Sequence, residues 1–163
     1  MILESKIINQ ALPTEQDRAF MAEALKQAKI AFEQDEVPVG AVIAHEGNIV
    51  AKAYNQIEML KDPTAHAEMI AVTQAANTLS SKWLNECVMY VTIEPCSMCA
   101  GALVLARIKK LFFGATDPEM GACGTCFNIV QSSKLNHQIS VAHGILAEEC
   151  SQLMSDFFKK KRK

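Results

Sequence analysis

Two short stretches hold the groups of this sequence that are best placed to do chemistry. In DPTAHAEMIAV (62–72), His66 and Glu68 stand two apart among small and apolar neighbours. In PCSMC (95–99), Cys96 and Cys99 stand three apart directly after Pro95. Two thiolates and an imidazole are ligands that zinc prefers. Three of them leave one tetrahedral position open, as in catalytic sites, whereas structural sites are closed by four. On the first turn of a helix Cys96 and Cys99 face one side, and the helix N-terminus favours thiolate over thiol there. Glu68 then has a purpose that packing alone would not give it, as a proton carrier beside an open metal position. Hydrolytic removal of an exocyclic amine from a purine or pyrimidine needs such a set. Zinc lowers the pKa of water to about 7. A carboxylate that moves protons to the ring and to the departing ammonia contributes about 10²- to 10⁴-fold. One geometric difficulty stands: residues i and i+2 of a regular helix point about 200° apart. His66 and Glu68 converge only if the helix entry is irregular or the Glu side chain curls inward.

The elements that must position these groups can be read from periodicity. Met21, Leu25, Ala28 and Phe32 recur at helical spacing after PTEQD, where Thr14 and Asp17 suit a capping pair. PVGAVIAH and NIVAKAY flank the turn residues of HEGN and predict a hairpin. A second helix is expected from about Thr64 to Leu79, after Pro63. CVMYVTI (87–93) has the continuous apolar run of a strand buried on both faces, and CSMCAGALVLAR after Pro95 reads as a helix. KLFFGA and ISVAHGI supply a fourth and a fifth strand, and AEECSQLMSDFFKK an amphipathic closing helix. Strands alternating with helices predict a layered α/β domain with at least part of its sheet parallel.

A chain of 163 residues, half of them hydrophobic, is long enough for one domain (1–163) with a substantial core. Its formal net charge of -2 gives no long-range pull on polyanions, which leaves KKKRK (159–163) as a local basic block. No apolar run approaches the roughly 18 to 20 residues that cross a bilayer. The start MILESKIINQALPTEQ lacks the charged-then-apolar pattern of a leader. A cytoplasmic protein without membrane contact is therefore expected. Six cysteines in this context favour metal binding or buried thiols over disulfides.

Several of these residues also have plainer readings. His45, His137 and His143 read as capping or solvated side chains, Cys87 and Cys150 as small buried apolar groups, and Glu36, Glu58 and Glu86 as solvated faces. FFKKKRK reads first as a helix end whose cations complement the dipole, and second as an RNA contact. Asn55 suits a turn or a base contact. A rival metal site pairs Cys96 and Cys99 with Cys123 and Cys126, across 23 intervening residues, in a closed four-cysteine knuckle. That would make the protein a binding module and would leave His66 and Glu68 without a purpose.

His66-Ala67-Glu68 together with Pro95-Cys96-Ser97-Met98-Cys99 resembles the signature of the zinc-dependent nucleobase deaminases. EVPVGAVIAH, YN at 54–55, DPTAHAEM, YVTIEPCSMCAGAL, FGATD, LNH and GILAEEC through SDFF are similar, in order from about Glu36 to Phe158, to the bacterial tRNA adenosine deaminases. The resemblance implies a cytidine-deaminase-like three-layer α/β/α sandwich with a central mixed five-stranded sheet. It also implies a homodimer that converts adenosine to inosine at the wobble position of a tRNA anticodon. Carried over by position, one zinc per chain sits on His66, Cys96 and Cys99, and Glu68 shuttles protons. Asn55 hydrogen-bonds the flipped base, and Asp117 lies close to the ribose and backbone. Gln56 and Gln138 stand where relatives usually carry arginine, and Cys126-Phe127 where they often have Leu-Met. The two neutral positions keep a second enzyme reading open, a deaminase of free guanine, cytosine or a small nucleoside. Chain length and the GILAEEC to SDFF ending favour tRNA.

Overall fold

The structure of the protein is a computed structural model that describes residues 12–162. The opening stretch read for a leader, up to residue 11, and the last lysine of the basic block lie outside the described residues. Helix α1 (Glu15–Glu33) starts at the expected capping box. Thr14 Oγ1 accepts the Asp17 N–H at 3.1 Å, and Asp17 Oδ2 accepts the Thr14 N–H at 2.8 Å. Strands β1 (Gly40–His45) and β2 (Asn48–Tyr54) form the expected hairpin. Glu46 (φ 51°) and Gly47 (φ 76°) close it, both left-handed, as a two-residue turn matched to strand twist requires. A single turn of helix, α2 (Ile57–Leu60), follows and has no counterpart in the sequence reading.

Helix α3 spans Ala67–Leu79, three residues later than its expected start at Thr64. The cause is local. Asp62 Oδ1 accepts both the Thr64 N–H (2.8 Å) and the Thr64 hydroxyl (2.6 Å), a side-chain turn that competes with helix. The remaining elements are β3 (Cys87–Ile93), α4 (Ser97–Leu105), β4 (Lys110–Ala115), β5 (Ser140–His143) and α5 (Ala147–Lys161).

The sheet runs in the order β2-β1-β3-β4-β5, antiparallel across β2, β1 and β3 and parallel across β3, β4 and β5. Because side chains alternate along a strand, Val42, Ala44, Tyr90 and Phe112 face α1 and pack with Met21 and Ala24. Ala41, Ile43, Met89, Val91, Leu111 and Phe113 face the opposite way and pack with residues of α3 and α4 such as Ala71 and Leu103. Helices α1 and α5 cover one face, and α3 and α4 the other. This is the expected three-layer sandwich on a mixed five-stranded sheet. Gly40 fixes the closeness of one layer, since a Cβ there would overlap the backbone of Ala24 and Ala28 in α1. Buried Cys87 and Cys150 pack into the core as expected.

Candidate functional site

His66 and Cys96 are not inside their helices. Each is the residue just ahead of one, with extended backbone: His66 (φ -73°, ψ 152°) caps α3 and Cys96 (φ -73°, ψ 177°) caps α4. This removes the 200° difficulty. Glu68 sits in the first turn of α3, and His66, lying off the helical spiral, is free to turn toward the same side. Cys99 lies in the first turn of α4, one turn on from Cys96.

His66 Nδ1 lies 3.7 Å from Cys96 Sγ and 3.6 Å from Cys99 Sγ. All three ligand atoms fall within 4.8 Å of one another, the one such His/Cys/Asp/Glu group among the described residues. Tetrahedral zinc, with Zn–N near 2.05 Å and Zn–S near 2.3 Å, would hold nitrogen and sulfur roughly 3.6 Å apart. The donor set therefore fits zinc in both type and spacing. Hydrogen bonding from the Cys99 thiol, with His66 adding to it, lowers the Cys96 pKa to about 3 despite burial. Cys99 is pushed up by the Cys96 sulfur and by burial. His66 is raised, first by its bond to Cys96.

Glu68 is 3% exposed, and burial raises its pKa. Its Oε1 is the one buried side-chain oxygen or nitrogen without a hydrogen-bond partner among the described residues. Such an atom is costly unless a ligand completes it. Glu68, His66 and Cys96 border an open cavity of about 470 Å³, together with Asn55, Asp117 and the ring of Phe158 from α5. That volume is within the usual range of small-ligand sites. Asn55 is buried, and its Oδ1 accepts the Ala67 N–H at 2.7 Å, while Asp117 Oδ1 accepts the N–H groups of Glu119 (2.9 Å) and Met120 (3.1 Å). A larger neighbouring cavity, about 570 Å³, shares Val37 and Ile57 with this one but holds no cluster of three converging metal-type ligands among the described residues.

The four-cysteine knuckle does not form. Cys123 is buried with its thiol toward the Pro95 carbonyl at 3.9 Å, and exposed Cys126 donates to the Pro118 carbonyl at 3.1 Å. Neither joins a cluster with Cys96 and Cys99. Glu36 is not a solvated face either. It is 1% exposed and accepts the N–H groups of Glu58 (2.9 Å) and Met59 (2.8 Å), which anchors α2. Glu58 and Glu86 are exposed, as read. His143 stacks on Phe113 at 5.1 Å while exposed. Half-buried His137, neither a helix cap nor solvated, pairs its Nε2 with the Ile108 carbonyl at 2.7 Å.

The basic end of α5 is partly engaged within the chain. Lys161 pairs with Asp35 at 2.5 Å, and Lys160 stands over the Phe32 ring at 5.2 Å. Gln56 and Gln138 do not border the cavity. Sequence reasoning also missed Glu94, 3% exposed at the cavity wall, which accepts the N–H groups of Asp117, Cys123 and Thr125. A charged residue directly ahead of Pro95 was the only available signal.

Residues 15–162 match the MafB19-like deaminase family. A tRNA-specific adenosine deaminase from Aquifex aeolicus is 52% identical over 143 residues, which cover 88% of this chain and 94% of the relative. Among solved structures, one from a study of A-to-I editing by tRNA deaminases at the wobble position of transfer RNA superposes with a TM-score of 0.80 at 38% identity. It covers 83% of this chain and 98% of its own. A guanine deaminase from Bacillus subtilis gives a TM-score of 0.58 at 37% identity, covering 60% of this chain and 63% of its own.

Proposed function

Since this chain belongs to the MafB19-like deaminase family and, within it, to the tRNA-specific adenosine deaminases, we propose that it is a zinc-dependent hydrolase converting adenosine to inosine at the wobble position of a tRNA anticodon. The observation that carries the reading is the convergence of three metal-type ligands on one cavity with a buried carboxylate oxygen that has no partner.

His66, Cys96 and Cys99 would hold one zinc per chain, and bound there it supplies a nucleophile of hydroxide strength at neutral pH. The chain's own residues do the rest. Glu68 takes the proton released by the attacking water and delivers it to the ring nitrogen. It then takes the remaining proton of the hydroxyl added to the base, as that carbon becomes a carbonyl and its bond to the amine breaks, and hands it to the amine, which leaves as ammonia. Water is consumed, and inosine and ammonia are the products. Asn55, whose Oδ1 is engaged by Ala67, turns its Nδ2 to the base, while Asp117 borders the ribose and backbone. The base must leave its stack to reach the cavity, which costs a few kcal/mol and least for an unpaired loop nucleotide.

The protein acts as a single deaminase domain over 1–163, as a homodimer, in the cytoplasm. No described helix is long and apolar enough to cross a membrane. A second reading, deamination of free guanine, is favoured by the Bacillus subtilis likeness, which extends over a smaller share of the chain. Ammonia release from an anticodon stem-loop, beside free guanine, adenosine and cytidine, separates the two. Turnover of guanine with the stem-loop untouched overturns the tRNA reading.

A further inference from the structure

Two carboxylates are buried in the wall of the cavity, and they are used in opposite ways. Glu68 leaves Oε1 without a partner. Glu94 receives four donors. Its Oε1 accepts the Asp117 N–H (3.1 Å) and the Thr125 hydroxyl (2.5 Å), and its Oε2 accepts the Cys123 N–H (3.0 Å) and the Thr125 N–H (3.2 Å). An ionised carboxylate offers about four lone-pair positions, so Glu94 has none left for a substrate proton. The donors come from 23 to 31 residues further along the chain, all in the segment 117–125. That segment has no regular secondary structure beyond the bridge between Cys123 and Asn128. Gly121 passes so close that a Cβ there would overlap the Glu94 carboxyl. The same segment forms one side of the cavity through Asp117, Glu119 and Met120.

We infer that Glu94 is a positioning residue that shapes the substrate wall at 117–125, so that the wall, and with it the grip on the nucleotide, depends on a carboxylate at this position. The inference rests on the deaminase reading above. Glu94 directly precedes Pro95 and Cys96, so one short stretch sets both the metal ligand and the opposing wall. A glutamine here would keep one oxygen and turn an NH₂ toward N–H groups, leaving up to two of the four donors without an acceptor.

The test compares Glu94→Gln, Thr125→Val and Thr125→Ser by zinc content, by amide hydrogen exchange at 117, 123 and 125, and by kcat and KM on an anticodon stem-loop. For Glu94→Gln we expect one zinc per chain and faster exchange at all three amides. KM should rise by roughly 10- to 100-fold, with a much smaller change in kcat. Thr125→Val, which removes one donor, should shift exchange and KM in the same direction by less, and Thr125→Ser should restore both. Unchanged exchange and KM overturn the inference. So does a loss of kcat at constant KM, which would put Glu94 among the reacting groups. If Glu94→Gln does not fold, Thr125→Val against Thr125→Ser decides by the same readouts. A wild-type protein that ignores the stem-loop would sink the tRNA reading, and the exchange result would still decide whether Glu94 holds the wall.

Discussion

Asn55 Oδ1 accepts the backbone N–H of Ala67 at 2.7 Å, so the residue that lines the cavity also caps the helix that carries Glu68. The bond commits the oxygen and leaves Nδ2 as the group that can donate to a base. The two duties can be separated. Asn55→Ala should cost about 1 kcal/mol of stability through the lost cap and should also lose activity. Asn55→Asp keeps an acceptor, and its charge is favourable at a helix N-terminus. It should keep the acceptor for the Ala67 N–H, at some cost for burying the charge, while activity is lost with the donor. Calorimetry and ammonia release on the same samples check both.

Glu68→Ala is expected to retain one zinc per chain and to lower kcat by about 10² to 10⁴. In the proposed mechanism the carboxylate moves protons and is not a ligand. Metal content by elemental analysis, with single-turnover rates, tests this, and substantial residual turnover would remove the assigned role.

Cys99→Ala should abolish both zinc binding and activity, whereas Cys123→Ala should keep both. The Cys123 thiol points to the Pro95 carbonyl, away from the ligand cluster. The opposite pattern in a metal-content assay would restore the four-cysteine site.

Asp17 supplies a pH-dependent part of stability. Burial pulls its pKa up, but the Tyr90 hydroxyl at 2.6 Å and the Thr14 groups outweigh that and hold it below the ordinary carboxylate value. A lowered folded-state pKa means that the contribution is complete above the unfolded value, about 4. It is lost as pH falls through the folded value. Tyr90→Phe should therefore cost about 1 kcal/mol at pH 7. The gap to wild type should narrow in acid, as followed by urea unfolding from pH 7 down to about pH 3.

At the basic end of α5, Lys161 is paired with Asp35, while Lys159 and Arg162 form no ion pair among the described residues. Neutralising Lys159 and Arg162 together should weaken stem-loop binding. It should reduce the slope of log K against log salt by roughly 0.7 for each single-stranded phosphate that the two cations neutralise. Zinc content should not change. Titrations at several salt concentrations measure the slope.

What could be read from the sequence was local or carried by residue type. The capping box at Thr14 and Asp17, the Glu46-Gly47 turn, the apolar run of β3 and the two short spacings His66 to Glu68 and Cys96 to Cys99 all announce themselves within a few residues. Where competing local interactions decide, the reading slipped. The Asp62 turn displaced the start of α3, and with it the geometry by which His66 and Glu68 converge. Glu36 and Glu94 could not be recognised as buried. Apart from the Thr125 hydroxyl, their partners are backbone N–H groups 22 to 31 residues away, and a backbone donor leaves no trace in residue identity. The position of Glu94 beside the cavity follows only from the folded path of 117–125.

The pairing of β1 with β3 has a kinetic side. Ala41 meets Val91 across 50 positions of chain, and His66 lies in the connection between them, while Cys96 and Cys99 follow β3. In the folded chain the three ligands are held together across that distant pairing. Contacts of such separation make folding slow, because the closure entropy must be met before the contact can repay it. Metal bound there would act as a late clasp. It would slow escape from the native state and leave the search for that state almost untouched. Chelation should then shorten the lifetime of the folded protein far more than it alters the refolding rate.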